Sequence, residues 1–166
     1  DADGLIPVAV WRDYGVPSWI SPDWLVIATS YSGNTEETLD AAEKALAADC
    51  TVLTISSGGT LAGLSEMHPR AHQIFVPGGR RPRAAFGHLF GTQVALLWMI
   101  GILERPLRPR LGEMLSRLQD RLDACDFTAD EYSSTARLAR GLLQQPLAII
   151  ASPEMAAAGE RFTNQL

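Results

Sequence analysis

Trp24-Leu25-Val26-Ile27-Ala28-Thr29-Ser30-Tyr31-Ser32-Gly33-Asn34-Thr35-Glu36-Glu37 passes without a break from an apolar run into a cluster of small hydroxylic residues around a glycine. The apolar run 24–28 has no alternation, so both faces want burial, as in a central strand of a parallel sheet. The amphipathic stripe Leu39, Ala42, Ala45, Leu46 predicts a helix from Glu36 to about Ala48. Asn34 stands where an N-cap is expected, with Glu37 three residues on at capping-box spacing. A strand that turns through Ser30–Thr35 into a helix is half of an α/β unit, and it sets the frame for the segments on either side.

Upstream, Ile6-Pro7-Val8-Ala9-Val10 reads as a short strand, and 12–22 as a loop broken by Gly15, Pro17 and Pro22. Downstream, Thr51–Ile55 and Gln73–Val76 read as strands, separated by Ser56-Ser57-Gly58-Gly59 and a short helix over Leu61–Glu66. Ala84–Leu103 reads as a long apolar helix that Pro106 and Pro109 break. Leu111–Ala124 and Ser134–Leu143 come next as helices, then Leu147–Ala151 as a new buried strand and Glu154–Asn164 as a last helix. This order predicts a three-layer, doubly wound parallel α/β sheet, connector helices and the start of a second α/β domain. The boundaries expected are 1–109, 110–145 and 146–166.

Composition narrows the function classes. The 166 residues carry 19 acidic and 14 basic side chains, a net charge of −5, which argues against a general nucleic-acid binder. The apolar stretch Val94–Leu103 is too short to cross a bilayer, and no charged-then-apolar leader opens the chain, so a cytoplasmic protein without membrane association is expected. Cys50 and Cys125 have no metal-ligand spacing and read as buried, reduced thiols.

The chemistry is expected in Ser30–Thr35. Ligands of open α/β sheets collect at the carboxyl ends of the strands. A helix N-terminus offers unpaired N–H groups and partial positive charge, both suited to a phosphate. Ser30, Ser32 and Thr35 add hydroxyl donors, Asn34 a further polar group, and Gly33 permits close backbone approach. The plainer account is that Ser, Asn and Thr only cap a helix. Glu36 and Glu37 are read as carboxylates favoured by the helix dipole, not as an acid/base pair. His68, His72 and His88 are read as surface or packing residues, so no metal is expected. Arg80, Arg81 and Arg83 form a basic cluster read as a solvated turn able to steer an anion. Tyr31, Trp11, Trp19 and Trp24 are read as packing residues.

Several segments together resemble the sugar isomerase (SIS) family, and within it the bifunctional phosphoglucose/phosphomannose isomerases. They are Arg12-Asp13-Tyr14 with Val16-Pro17, Ser30-Tyr31-Ser32-Gly33-Asn34-Thr35-Glu36-Glu37-Thr38-Leu39, Thr54-Ile55-Ser56-Ser57-Gly58-Gly59, and Pro82-Arg83-Ala84-Ala85-Phe86-Gly87-His88-Leu89-Phe90. The resemblance implies a homodimer that binds a sugar phosphate and interconverts aldose and ketose through a cis-enediol. It implies glucose 6-phosphate, interconverted with fructose 6-phosphate, as substrate, with room for mannose 6-phosphate as a second one, and no cofactor would be needed. It implies phosphate binding by Ser30, Ser32, Gly33, Asn34 and Thr35, a substrate loop at Ser56, Ser57 and Gly58, and a catalytic role for Arg83. Without the resemblance, Arg83 reads as an arginine at a helix start with a solvated tip.

In the family, a glycine-glycine-serine loop precedes the segment matching Ile6. A catalytic glutamate comes after the segment matching Arg161–Leu166, and a catalytic histidine lies further on. The resemblance therefore implies that these 166 residues are a segment of a longer isomerase, with base and histidine outside it. A non-catalytic SIS module that senses a sugar phosphate is the alternative from a different class.

Overall fold

The computed structural model describes residues 6–103, 108–126, 132–143 and 145–164. The chain divides into two compact units, Asp1–Glu104 and Arg105–Leu166.

The first unit is built on three parallel strands, β1 (Leu25–Thr29), β2 (Thr51–Ser56) and β3 (Ala71–Phe75), in the order β1-β2-β3. Leu25 pairs with Thr51 and Thr29 with Ile55; Val52 then pairs with Ala71 and Ser56 with Phe75. Two helices make the crossovers, α1 (Glu36–Ala47) and α2 (Gly59–Met67). Both pack on one face of the sheet, where Ala42, Ala45, Leu46, Leu61 and Leu64 meet Ala28, Val52 and Ala71. Consecutive parallel strands laid down in one direction require this, because crossovers of one hand put their helices on one side. The opposite face carries α3 (Phe86–Met99), whose Leu89 and Leu96 pack with Ile27, Leu53, Ile55 and Ile74. Neighbouring strand residues thus serve different helices, which is why the apolar runs do not alternate with polar residues.

Two helix ends are closed by the same device. Ala48 caps α1, Asp49 takes a left-handed conformation (φ 61°), and the amides of Asp49 and Cys50 return to the carbonyls of Leu46 and Ala45. Ile100 caps α3, Gly101 is left-handed (φ 78°), and Gly101 and Ile102 return to Trp98 and Leu97. These six-to-one and five-to-two bonds satisfy carbonyls that a helix end otherwise leaves unpaired.

The second unit holds α4 (Arg108–Ala124), α5 (Ser134–Leu142) and α6 (Ala156–Thr163). The Ser133 hydroxyl caps α5 by accepting from the Ala136 amide. Met114, Leu115, Leu118 and Leu122 of α4 are exposed.

The structure corrects several sequence expectations. Neither Ile6–Val10 nor Leu147–Ala151 is a strand: the first leaves Val8 and Val10 about three-quarters exposed, and the second leaves Ile150 almost wholly so. Apolar periodicity records a wish for burial; a strand also needs a neighbour to complete its ladder, and no described residue supplies one. The long helix begins as a 3₁₀ turn, Pro82–Ala85, and ends at Met99 because Gly101 permits the left-handed cap. Pro109 does not break a helix; it lies in the first turn of α4, where a missing N–H removes no bond. Pro106 lies outside the described residues. Cys50 is buried as expected, its thiol against the Ser21 carbonyl, whereas Cys125 is exposed because α4 ends at Ala124 with that side uncovered. Burial raises the Cys50 pKa, with Asp49 adding to it.

Leu61 of α2 is fully buried in the cluster that α1 and α2 form on the sheet. Leu61→Ala is expected to destabilise the protein by about 2–5 kcal/mol, read as a lower midpoint in denaturant titration. An unchanged midpoint would mean that α2 does not pack as described.

Candidate functional site

The loops that leave β1, β2 and β3 meet at the carboxyl end of the sheet, and the meeting of the first two is very close. Gly33 has φ 71°, and a Cβ placed on it would lie 1.9 Å from the Gly58 carbonyl oxygen. Gly59 has φ 73°, and a Cβ there would lie 2.3 Å from the Ser32 carbonyl oxygen. Only two glycines can face each other in this way. The clearance is filled by hydrogen bonds: the Leu61 amide donates to the Gly33 carbonyl at 2.9 Å, and the Thr60 amide donates to Asn34 Oδ1 at 2.9 Å.

Asn34 is therefore not the N-cap of its own helix. It caps the neighbouring helix α2, at whose start Gly58 has no side chain to do so. The N-cap of α1 is Thr35, whose side chain makes no capping bond. The Thr35 hydroxyl instead lies 2.7 Å from that of Ser30. Ser30 Oγ is buried and already accepts from the Gly33 amide at 3.2 Å. Either hydroxyl of this pair can donate to the other, and the Thr35 side chain remains exposed. The exposed Ser32 hydroxyl accepts from the Asn34 amide at 3.2 Å and keeps its own proton to donate. The first turn of α1 thus presents two outward hydroxyls beside N–H groups that its N-cap side chain leaves alone.

The remaining sequence-predicted residues fall into distinct places. Ser56 is fully buried, donating to the Gly58 carbonyl and accepting from Gln73 Nε2, so it has no surface to offer a ligand. The Ser57 hydroxyl donates to the Tyr31 carbonyl at 2.7 Å, and the Ser57 amide donates to the same oxygen at 2.9 Å. Arg83 is exposed in the 3₁₀ turn that opens α3, and Arg80 and Arg81 precede it on the same loop. Tyr31 does more than pack: its hydroxyl accepts from the Arg80 amide at 2.9 Å and donates to the Pro77 carbonyl at 3.1 Å. Nothing in the sequence pattern reveals this tie, because its partners are backbone atoms 46 and 49 residues away.

Glu36 accepts from the Tyr14 hydroxyl at 3.2 Å. The Glu37 charge, then burial and that bond to Glu36, raise the Tyr14 pKa, which keeps the phenol protonated as a donor. Asp40 holds Lys44 at 2.8 Å and the Gly15 amide, and both lower its pKa, Lys44 foremost. These contacts fasten the 13–15 loop to α1. His68 and His72 are exposed and His88 is half-buried; among the described residues no three potential ligands gather in a way that could hold a metal.

Beside the edge of β1 that faces away from β2 runs a cleft of about 710 Å³, lined by Val8, Trp11, Trp24, Val26 and Gln93 among others. It reaches Thr35, but Ser30, Ser32, Gly33 and Asn34 do not line it. Among the described residues no helix is long and apolar enough to cross a membrane.

No family model matches the chain, and no solved structure matches it. Curated proteins do. The chain is 40% identical over 115 residues to the bifunctional phosphoglucose/phosphomannose isomerase of Caldicellulosiruptor bescii, covering 69% of this chain and 33% of that protein. It is 48% identical over 83 residues to the Thermoplasma acidophilum protein of the same name, covering 50% and 25%. Against that of Thermoplasma volcanium it is 32% identical over 108 residues, covering 65% and 31%. The chain spans a third or less of the length of these relatives.

The loop junction makes a test that needs no ligand. Gly33→Ala must move the Gly58 backbone and is expected to lower stability by about 2–4 kcal/mol. Asn34→Ala removes only the cap of α2 and is expected to lower it by about 1 kcal/mol. Calorimetric melting of the two variants checks the order; a Gly33→Ala protein as stable as the parent would refute the interlock.

Proposed function

We propose that this chain, a homologue of the bifunctional phosphoglucose/phosphomannose isomerases, supplies the phosphate loop and a catalytic arginine of a phosphosugar aldose–ketose isomerase. The observation that carries the reading is the start of α1. The expected cap, Asn34, is turned to the neighbouring helix, and Ser32 and Thr35 are left with exposed hydroxyls beside the helix amides. A phosphate is the ligand that such a set of donors suits, since charge-assisted bonds are stronger than neutral ones. The phosphate would rest on Ser32, Thr35 and the amides of the first turn of α1, with Ser30 and Gly33 shaping the loop. Asn34 would serve by locking that loop to α2, and Ser57 by holding the Tyr31 carbonyl.

The substrate sets the chemistry. Removing a proton from the carbon beside a sugar carbonyl generates an enediolate, and returning it to the neighbouring carbon completes the isomerisation. Arg83 would stabilise the developing negative oxygen, an electrostatic contribution that needs no metal. Glu36 and Glu37 face Tyr14 and are not assigned as the base, and no base is assigned within residues 1–166. We extend the fold in the same spirit: the three strands belong to a doubly wound SIS-type domain, and 146–166 open a second one after the connector 110–145. Glucose 6-phosphate and mannose 6-phosphate are the substrates that the relatives' names suggest, and a homodimer is the assembly expected.

The tests use the full-length natural protein. Ser32→Ala and Thr35→Ala are each expected to weaken glucose 6-phosphate binding by about tenfold, and free glucose should bind poorly to every form. Unchanged phosphosugar affinity in the double variant, measured by calorimetry, would remove the loop from the site. Arg83→Ala is expected to lower kcat more than it raises KM, by about 2–4 kcal/mol in transition-state stabilisation, with partial recovery in Arg83→Lys. A coupled assay of fructose 6-phosphate conversion to glucose 6-phosphate reads this. Near-normal turnover in Arg83→Ala would return that residue to the solvated helix start that its sequence position alone implies.

A further inference from the structure

Tyr31 sits in the phosphate loop, yet most of its bonds leave that loop. Its carbonyl holds both the amide and the hydroxyl of Ser57, in the loop after β2. Its ring packs with Ile55, Val76 and Leu96 under the carboxyl end of the sheet. Its hydroxyl is saturated by the loop after β3: it donates to the Pro77 carbonyl at 3.1 Å and accepts from the Arg80 amide at 2.9 Å. One residue therefore joins all three strand-end loops.

The tie to the third loop bears on chemistry through the short path from Arg80 to Arg83. Between Pro77 and Arg80 lie Gly78 and Gly79, the latter left-handed at φ 79°. Two consecutive glycines leave a loop with large conformational freedom unless something fixes its far side. The Arg80 amide is that far side. From there Arg81 leads to Pro82, whose ring presets the 3₁₀ turn, and Arg83 is the next residue. Fixing Arg80 thus fixes the origin from which Arg83 projects.

We propose that the Tyr31 hydroxyl is a positioning group: it holds the Arg80–Arg83 segment at a set place relative to the phosphate loop, and so sets where Arg83 meets a substrate whose phosphate is held by Ser32 and Thr35. This rests on the functional reading above and adds a residue that acts through Arg83 without touching the substrate. Reacting groups held even slightly out of place lose much of the benefit of a prearranged site.

The experiment compares the full-length parent with Tyr31→Phe, Arg83→Ala and the double variant. Phenylalanine keeps the ring among Ile55, Val76 and Leu96 and removes only the two hydroxyl bonds. Tyr31→Phe is expected to lower kcat by about tenfold while the inhibition constant of inorganic phosphate changes by less than about twofold. In the Arg83→Ala background the same change should lower kcat by less than about twofold, because the group it positions is gone. Equal losses in the two backgrounds, an unchanged kcat in Tyr31→Phe, or phosphate inhibition weakened as much as turnover, would each overturn the proposal. Hydrogen exchange separates its failure from that of the functional reading. If the parent does not isomerise phosphosugars, the functional reading fails. The positional tie then stands only if Tyr31→Phe speeds amide exchange over 78–84 and leaves 36–47 as in the parent. Equal exchange over 78–84 overturns the tie itself.

Discussion

The contact between Gly33 and the Gly58-Gly59 pair is the constraint from which the rest of the site is built. It brings two loop backbones to a separation that no side chain could enter, since a Cβ on either side would fall well inside contact distance of a carbonyl oxygen. Once the backbones are that near, the first amides of α2 have acceptors within reach, and they take the Gly33 carbonyl and the Asn34 side chain. That choice sends Asn34 away from α1. The start of α1 is then left with a threonine engaged to Ser30 and not to its own helix. A steric fact about glycine thus decides which donors face solvent at the end of the sheet.

The sheet explains why such a junction can be held rigidly. β2 is the centre of the three strands and is buried on both faces, by α1 and α2 on one side and α3 on the other. Its final residues carry the polar anchors. Thr54 and Ser56 are fully buried and hydrogen-bonded to Gln73, the His72 carbonyl and Gly58, so no polar group is stranded where the strand ends. Loops that leave a rigid edge with their backbone groups already satisfied can hold a site to the tolerance that chemistry requires.

Tyr31 joins this junction to the third loop, and the arrangement places the hydroxyl-bearing loop Ser30–Thr35 and an arginine-bearing segment on one hydrogen-bonded frame. The chain is similar to phosphoglucose/phosphomannose isomerases over 69% of its length, and under the function proposed above that frame would anchor a phosphate and stabilise an enediolate. The two roles ask for opposite things from neighbouring segments, tight hydrogen-bond donors at one place and a long, charged reach at another. On the proposed function, small hydroxylic residues at a helix start and an arginine at a 3₁₀ turn would meet those demands.

How much of this was written in the sequence differs from element to element. Val26–Ala28, Val52–Ile55 and the stripe Leu39, Ala42, Leu46 announced strands and helix by themselves, because burial on both faces, or on one stripe, requires that pattern in any fold of this class. The cluster of small residues around Gly33 announced the turn from strand into helix for the same local reason. Ile6–Val10 and Leu147–Ala151 showed the limit: an apolar run states what it would bury, and only a neighbouring strand, a non-local matter, makes it β-structure. The assignment of Asn34 to α2 was equally out of reach, since capping-box spacing is local whereas the donor that won it, the Thr60 amide, lies 26 residues away. The tie from Tyr31 to Pro77 and Arg80 is of that kind too. Local sequence determined which residues seek burial, a cap or a turn; tertiary structure decided which partner each received, because hydrogen bonds and close contacts depend on distances that only the folded sheet sets.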